Sequence, residues 1–552
     1  MEVMILIKVT YDGKVYKINK KMKVIEFVRD VLKNNDKKII ACKAFNEVKS
    51  LNYLIDRDCE IKLLDTHTSD GSKIYVRGIT FVLIKAFEEL YPGKRFYVNY
   101  ALGHALYCEA EFKLTEKDIE AISKRMKKII KQDLPIEKRT LTLAEAMNMY
   151  NDAGKMDKRG LLENRMKTHV SMYYCDGTFN YFYGVMPIST SYTQDYELEK
   201  YGKGGLLLHY PRRFDCKIAK KVDGSKKLYA TFEEYDKIHK VLGIENIVGL
   251  NKYIKEGRAG EVIRICEALH EKKIAEIADM IAKDKKKKLI LIAGPSSSGK
   301  TTFAQRLGVQ LAVNGIKTVT LSMDNYFVDR TRTPKDENGK YDFECLEAVD
   351  LELFNSQLKD LLAGKEVELP TFDFTTGTRV YLGNKAKLGK NEVLVVEGIH
   401  GLNETLTNKI PRENKFKIYI SALTTLNIDD CNRVTTSDTR LIRRLVRDSK
   451  FRAHGSEATI RMWESVRRGE EKYIFPYQDD ADVMFNSSTV YEIAALKPYV
   501  EPMLAAVDYN SDEFSEAKRL YEFLSYFIPI DSKEIPINSI IREFIGDGCF
   551  YR

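Results

Sequence analysis

The spacing of apolar residues changes three times along the chain, and each change marks a different kind of structure. "MILIKVT" and "KVYKINK" alternate with period two on either side of Asp12-Gly13, which predicts a hairpin. "VIEFVRDVL" follows with helical spacing and "CEIKLLD" with a strand pattern, so residues 1–65 read as a small β-grasp-like unit. Residues 66–222 are mixed. "FVLIKAFEELYP" is an amphipathic helix stopped by Pro92, and "TEKDIEAISKRMKKIIKQ" is a second one opened by Thr115 with acidic residues in its first turn. Aromatic-rich strands such as "MYYCDGTFNYFYGV" follow. Residues 223–287, with "AGEVIRICEALHEKKIAEIADMIAKDKKKK", predict a helical connector. From Lys288 to Arg552 short apolar runs, "KLILIAG", "TVTLSMD", "EVLVVEG", "FKIYIS" and "ADVMFN", alternate with helical segments. Strands apolar on both faces imply a parallel, doubly wound α/β sheet.

Composition adds limits rather than chemistry. A chain of 552 residues, 44% hydrophobic and 31% charged, is a multidomain globular protein. The net charge of +9 is a small excess of 89 basic over 80 acidic side chains. It reads as a Lys-rich solvated surface before it reads as a nucleic-acid footprint. Nine cysteines with no C-x-x-C pair predict reduced thiols. The N-terminus lacks a basic region followed by a long apolar core, and no apolar run is long enough to span a bilayer, so a cytoplasmic protein is expected.

The candidate chemistry begins at "GPSSSGKTT". Gly294, Pro295, Ser296, Ser297, Ser298, Gly299, Lys300 and Thr301 fit the phosphate-loop pattern G-x-x-x-x-G-K-[ST], with an apolar strand before and a helix after. Backbone N–H groups at such a helix N-terminus, Thr302 included, favour phosphate oxygens. Lys300 is expected to reach the β- and γ-phosphates of ATP or another NTP, and Thr301 to offer its hydroxyl to Mg²⁺. Two further strands end in carboxylates. Asp324 suits a proton acceptor for an attacking hydroxyl, and Glu397 suits a metal ligand, direct or through water. Either could instead be a helix cap or turn residue. In "DTRLIRRLVRD", Arg440, Arg443, Arg444 and Arg447 stand at helical i, i+3, i+4 and i+7. A solvated face or nucleic-acid binding would explain such a stripe, but beside a phosphate loop a phosphate-clamping lid is the favoured reading.

These motifs, in order with "SMDNYF", "YDFECLEAVDLELF", "ELPTFDFTTGTR", "VVEGIHGL" and "DDADVMFN", resemble the uridine kinase and phosphoribulokinase group of P-loop kinases. The resemblance makes Asp324 the catalytic base and Glu397 the metal-linked acid. It makes Arg440 and Arg443 the phosphate contacts of a lid, and puts Glu344 where uridine kinases carry an Asp that holds the sugar hydroxyls. Tyr326, Phe372, Phe374 and Arg379 complete the implied acceptor site. The departures fall in "FDFTTGTR", where Phe372 and Gly377 replace a Tyr and a His that read the pyrimidine. The front of the chain resembles threonyl-tRNA synthetases: residues 1–65 their TGS domain, and the stretch from Thr66 their editing domain. Arg77, Phe81 and Phe179 stand where that domain carries metal-binding histidines, leaving Cys175 alone.

The implied activity is ATP-dependent phosphorylation of a nucleoside 5′-hydroxyl, with a small-molecule nucleoside as partner. A kinase of another hydroxyl metabolite, and an RNA-binding or nucleotide-sensing regulator with weak kinase activity, are the alternatives. Nucleic-acid binding by the front half and oligomerisation stay open. The C-terminal "SIIREFIGDG" has no chemical role in this reading and is expected to be a packing helix.

Overall fold

The computed structural model describes residues 6–550 except 166, 214, 220–225, 337, 338, 340, 374 and 375. Its first unit is a five-stranded mixed sheet. Ile7–Tyr11 and Lys14–Ile18 pair antiparallel across Asp12 and Gly13, whose φ values of 50° and 72° fit a two-residue hairpin turn. Ile7–Tyr11 runs parallel to Cys59–Asp65, and Ile39–Ala44 and Glu47–Ser50 complete the sheet. Val24–Glu26 and the wider turn Phe27–Val31 cross one face, burying Val24, Phe27 and Val28.

The next helix, Ser69–Leu90, begins twelve residues before the apolar run at Phe81. Thr68 caps it by accepting the Gly71 N–H at 3.1 Å. The sequence hides this start because Gly71 is a poor helix former. It is needed here, since a Cβ at 71 would overlap the Asp65 carbonyl. The predicted second helix spans Glu116–Lys131, opened by a reciprocal Thr115–Asp118 cap. A four-stranded antiparallel sheet (Phe96–Leu102, Ala105–Ala110, Gly205–His209, Glu197–Tyr201) packs with these helices. Glu137–Thr142, His169–Cys175 and Thr178–Asn180 form a second sheet. Helices Lys226–Leu242, Ile247–Lys255 and Ala259–Lys283 then lead to the last unit.

That unit holds the site, and its elements are numbered from its own first strand. β1 (Leu289–Ala293), β2 (Lys317–Ser322), β5 (Glu392–Glu397), β6 (Lys415–Ser421) and β7 (Val483–Asn486) form a wholly parallel sheet in the order β2-β5-β1-β6-β7. Helix α1 (Lys300–Val313) follows β1 through the phosphate loop. Helix α2 (Leu351–Leu362) and the hairpin β3 (Val367–Asp373) and β4 (Thr378–Ala386) lie between β2 and β5. Helices α3 (Thr436–Phe451), α4 (Ser456–Tyr473), α5 (Glu492–Ala505), α6 (Phe514–Leu524) and the short α7 (Arg542–Ile545) complete the unit. β1 and β6 are buried along their whole length, as two-sided helix cover requires.

The units are not loosely strung. One apolar cluster runs from Tyr150, Met172 and Tyr181 through Ile263 and Ile274 to Ile290, Leu441 and Phe544. Among the described residues no helix is long and apolar enough to cross a membrane.

Candidate active site

The phosphate loop turns between β1 and α1. Ser297 and Gly299 both have positive φ, 59° and 83°. Gly299 has a second reason to be glycine, because a Cβ there would strike Ile540. Lys300 Nζ curls back to donate to the carbonyls of Gly294 (3.0 Å) and Pro295 (3.3 Å). The Ser297 and Ser298 hydroxyls are buried and find no partner among the described residues. Curled backbone, a lysine held at its mouth and orphaned hydroxyls are what a polyphosphate would engage.

Carboxylates gather at the C-terminal edge of the sheet. Glu397 ends β5, while Asp324 lies one turn past β2, in the short helix Met323–Tyr326 instead of in the strand. Glu397 is buried and accepts the Ser322 hydroxyl at 2.8 Å. Burial first, then the charge of Asp324, hold its carboxyl well above the usual range, against the pull of Lys300. Glu344 is pushed up to about 7 by burial and by Glu470 and Asp324, with Arg444 and Lys300 opposing. Asp324 and Lys300 thus act on both Glu344 and Glu397, and Arg444 on Glu344. His400 is pushed down to about 4 by burial and so is neutral at physiological pH. Its ring lies within the field of Asp324 and edge-on to Tyr473.

If Mg²⁺ accompanies the nucleotide, Thr301 and Glu397 would offer it hard oxygen atoms, and a cation beside the buried Glu397 carboxyl would relieve its repulsion by Asp324. Among the described residues no three His, Cys, Asp or Glu side chains are grouped to hold a metal unaided.

The arginine helix differs from its expectation as a uniform stripe. Arg440 and Arg443 are 1% and 0% exposed. Arg440 makes a bidentate pair with Glu470 of α4 and donates to the Ser296 carbonyl at 3.1 Å. Arg443 pairs with Glu492 and donates to the carbonyls of Ser297 (3.3 Å) and Ser487 (2.8 Å). Both guanidinium groups thus brace the back of the phosphate loop, because charges this deep require carboxylate partners. Arg444 and Arg447 are a little more exposed. Arg444 donates to Ser296 Oγ at 3.0 Å, and both pair with the buried Asp448, which also draws in Arg452. Arg452 lies within the field of Asp324.

The acceptor-side candidates divide. The hairpin carrying Phe372 is tied to the Asp324 turn, for Asn325 Oδ1 accepts the Phe372 N–H at 3.3 Å. The Phe372 ring stands edge-on to Phe327, 5.7 Å between centroids. Phe374 lies outside the described residues. Arg379 pairs with Asp350 at 3.0 Å. Tyr326 does not line the site: it is a core residue, edge-on to Phe354, with its hydroxyl donating to Gln357 at 2.7 Å. Gly377 has φ +72°, and a Cβ there would come within 2.8 Å of Arg330 Nε, so Arg330 fills the space a side chain at 377 would take.

In the front half, the positions compared with metal ligands are packed. Arg77 donates from Nε and Nη2 to the Val185 carbonyl (3.0 and 2.8 Å), Phe81 meets Phe182 edge-on, and Cys175 is buried. Phe179 stacks on Tyr174. The residues that sequence reasoning missed are Glu470, Glu492, Asp448, Arg452, His400 and Glu543. An arginine-rich helix demands counter-charges: Asp448 closes the same run, four residues from Arg444, but nothing in the sequence says that Glu470 and Glu492 are the distant acids that meet Arg440 and Arg443.

A parallel sheet ordered β2-β5-β1-β6-β7, with its phosphate loop on the central strand, is the P-loop kinase fold. Residues 289–494 match the family model described as Phosphoribulokinase / Uridine kinase family. A uridine kinase of Lactobacillus helveticus (strain DPC 4571) is 31% identical over 207 residues, 37% of this chain and 89% of that one. A uridine kinase of Staphylococcus aureus (strain JH9) is 33% identical over 200 residues, 36% of this chain and 86% of its own. A solved structure of a possible uridine kinase from Bacillus stearothermophilus is similar at 21% identity with a TM-score of 0.23, covering 36% of this chain and 89% of that one. The chain belongs to the phosphoribulokinase/uridine kinase family, by a match that leaves residues 1–288 and 495–552 outside it.

Proposed function

We propose that the protein transfers the γ-phosphoryl group of ATP to the 5′-hydroxyl of a nucleoside. What supports the reading is that the charges of Asp324 and Lys300 both act on Glu344 and on Glu397, with Lys300 belonging to the phosphate loop. Asp324 takes the proton of the attacking hydroxyl, Glu344 holds the ribose, and Phe372 offers a flat face to the base. Lys300, the loop N–H groups and Arg444 and Arg447 hold the phosphates in line, which is most of what phosphoryl transfer asks of a protein. Thr301 and Glu397 would hold Mg²⁺, which would supply neutralisation of the charge that builds on the leaving phosphate. The uridine kinases among its relatives support a nucleoside acceptor.

A second reading, a kinase of a phosphorylated or otherwise anionic hydroxyl metabolite, is favoured by the guanidinium of Arg330 beside Gly377. ATP consumption measured against a panel of nucleosides and phosphosugars tests both, with Asp324→Asn as control. Turnover with a nucleoside, lost about 10²-fold or more in the variant, is expected. Stimulation by phosphosugars alone would favour the second reading, and stimulation by nothing would sink both.

For the front half we infer a TGS-like unit over 1–65, an editing-like unit without metal chemistry over 66–222 and a connector over 223–287, in a cytoplasmic protein. A regulatory part in RNA or nucleotide sensing would show as tight, salt-dependent tRNA binding by the full chain.

A further inference from the structure

The C-terminal segment takes no part in the chemistry above, yet it lies on the phosphate loop. Ile540, Ile541, Phe544 and Ile545 are buried. The Arg443 guanidinium sits 5.0 Å from the Phe544 ring centre, Lys450 Nζ donates to the Ile545 carbonyl at 2.6 Å, and Ser539 Oγ donates to Glu267 at 2.6 Å. These anchors hold α7 so that its one acidic residue, Glu543, reaches the first turn of α1. Glu543 Oε2 accepts both the Thr302 N–H (3.1 Å) and the Thr302 hydroxyl (2.8 Å). Its charge is also felt at Glu397.

The first turn of α1 is where the loop's free N–H groups and the positive end of the helix dipole favour an anion. Thr302 has one N–H and one hydroxyl proton, and the carboxylate of Glu543 accepts both. A phosphate oxygen cannot take the same two donors while the carboxylate holds them, and two anions in contact in a partly buried site repel strongly.

We propose that Glu543 is an internal occupant of the nucleotide-phosphate subsite, a tethered anion that the triphosphate must displace from Thr302. The proposal rests on the phosphate loop being the nucleotide-donor site. Displacement requires only rotation of the Glu543 side chain, because the backbone of α7 is fixed by its apolar residues and by Lys450. Apparent nucleotide affinity is then the intrinsic affinity reduced by the fraction of molecules with Glu543 turned away.

The test is calorimetric titration of the full-length protein and of Glu543→Gln and Glu543→Ala with Mg·ATP, inorganic tripolyphosphate and adenosine. Both variants are expected to bind ATP and tripolyphosphate about tenfold tighter than wild type, for a competent fraction of about one in ten. Adenosine, which brings no phosphate to compete, is expected to bind equally to all three. Glu543→Gln keeps the side-chain volume and carries the test if Glu543→Ala does not fold. Unchanged or weaker binding of ATP and tripolyphosphate by Glu543→Gln would make Glu543 a helix cap that the phosphates bypass, and overturn the proposal alone. Failure of all three proteins to bind either phosphate ligand would overturn the donor-site reading with it.

Discussion

Arg440 of α3 and Glu470 of α4 form a bidentate ion pair sealed behind the phosphate loop, and Glu470 also accepts the Ser296 N–H at 3.2 Å. One carboxylate therefore fixes both the loop backbone and the helix that bears the outward arginines. Removing one member of a buried pair leaves the other charge without compensation, at a cost of about 3–5 kcal/mol. Glu470→Ala is expected to lower the unfolding free energy by that measure, read as a lower urea midpoint. The double variant Arg440→Met, Glu470→Leu restores much of the stability and leaves turnover low, since the Ser296 N–H stays unbound. Urea melts and kcat on the same preparations check both.

Asp448 gathers Arg444, Arg447 and Arg452, and these guanidinium groups hold its carboxyl below the usual range despite burial. Without that anion three like charges separate. Asp448→Asn is expected to reduce kcat about tenfold or more with little change in nucleotide affinity. Arg444→Ala, which removes a donor directly, falls by about 10²-fold. Steady-state kinetics beside calorimetry separates the two.

The strands of the parallel sheet were legible because they are buried on both faces, and the phosphate loop because a few residue types at fixed spacing dictate its geometry. The strand predicted through Asp324 stops at Ser322, since the chain must turn there to bring Asp324 beside Glu397. The arginine helix was legible as a helix and as a charge cluster, but not in its division of labour. A repeat of 3.6 residues tells which arginines share a face. Only the positions of Glu470 and Glu492 in space decide that Arg440 and Arg443 turn inward. Tyr326 misled for a related reason: it lies two residues from Asp324, on a turn whose other side is core. Glu543, more than two hundred residues after Thr302, left no local signal at all.

The raised carboxyls make stability depend on pH with a definite sign. In the unfolded chain Glu344 titrates near ~4.3, and in the folded protein at about 7. Between those values the folded state holds a proton that the unfolded state has released, so stability falls as pH rises through this window and levels off above it. Glu397, raised by the same causes, adds to the slope. Glu344→Gln is expected to flatten the melting temperature between pH 5 and 8 and to melt above wild type at pH 8. A variant that melts lower than wild type at pH 8 would show that the Glu344 charge is stabilising after all.

The front and rear halves are expected to unfold together. The Tyr181 hydroxyl hydrogen-bonds that of Tyr526, and the Arg165 guanidinium lies 4.7 Å from the Tyr526 ring centre and 5.7 Å from that of Tyr181. Arg519 of α6 ties Asp438, at the start of α3, to Glu516, which in turn holds Lys73 at 3.2 Å. With a shared apolar cluster behind these contacts, neither half keeps its core when the other opens. Trp463, the chain's one tryptophan, is buried on α4 with the Arg440 guanidinium 5.3 Å from its ring centre, so its emission reports the kinase side alone. The melt followed by Trp463 fluorescence is expected to coincide with that followed by far-ultraviolet circular dichroism, and Arg165→Ala to lower both by the same amount. Two separated transitions, with Arg165→Ala moving only one of them, would mean that the halves stand independently and that the contacts between them are incidental.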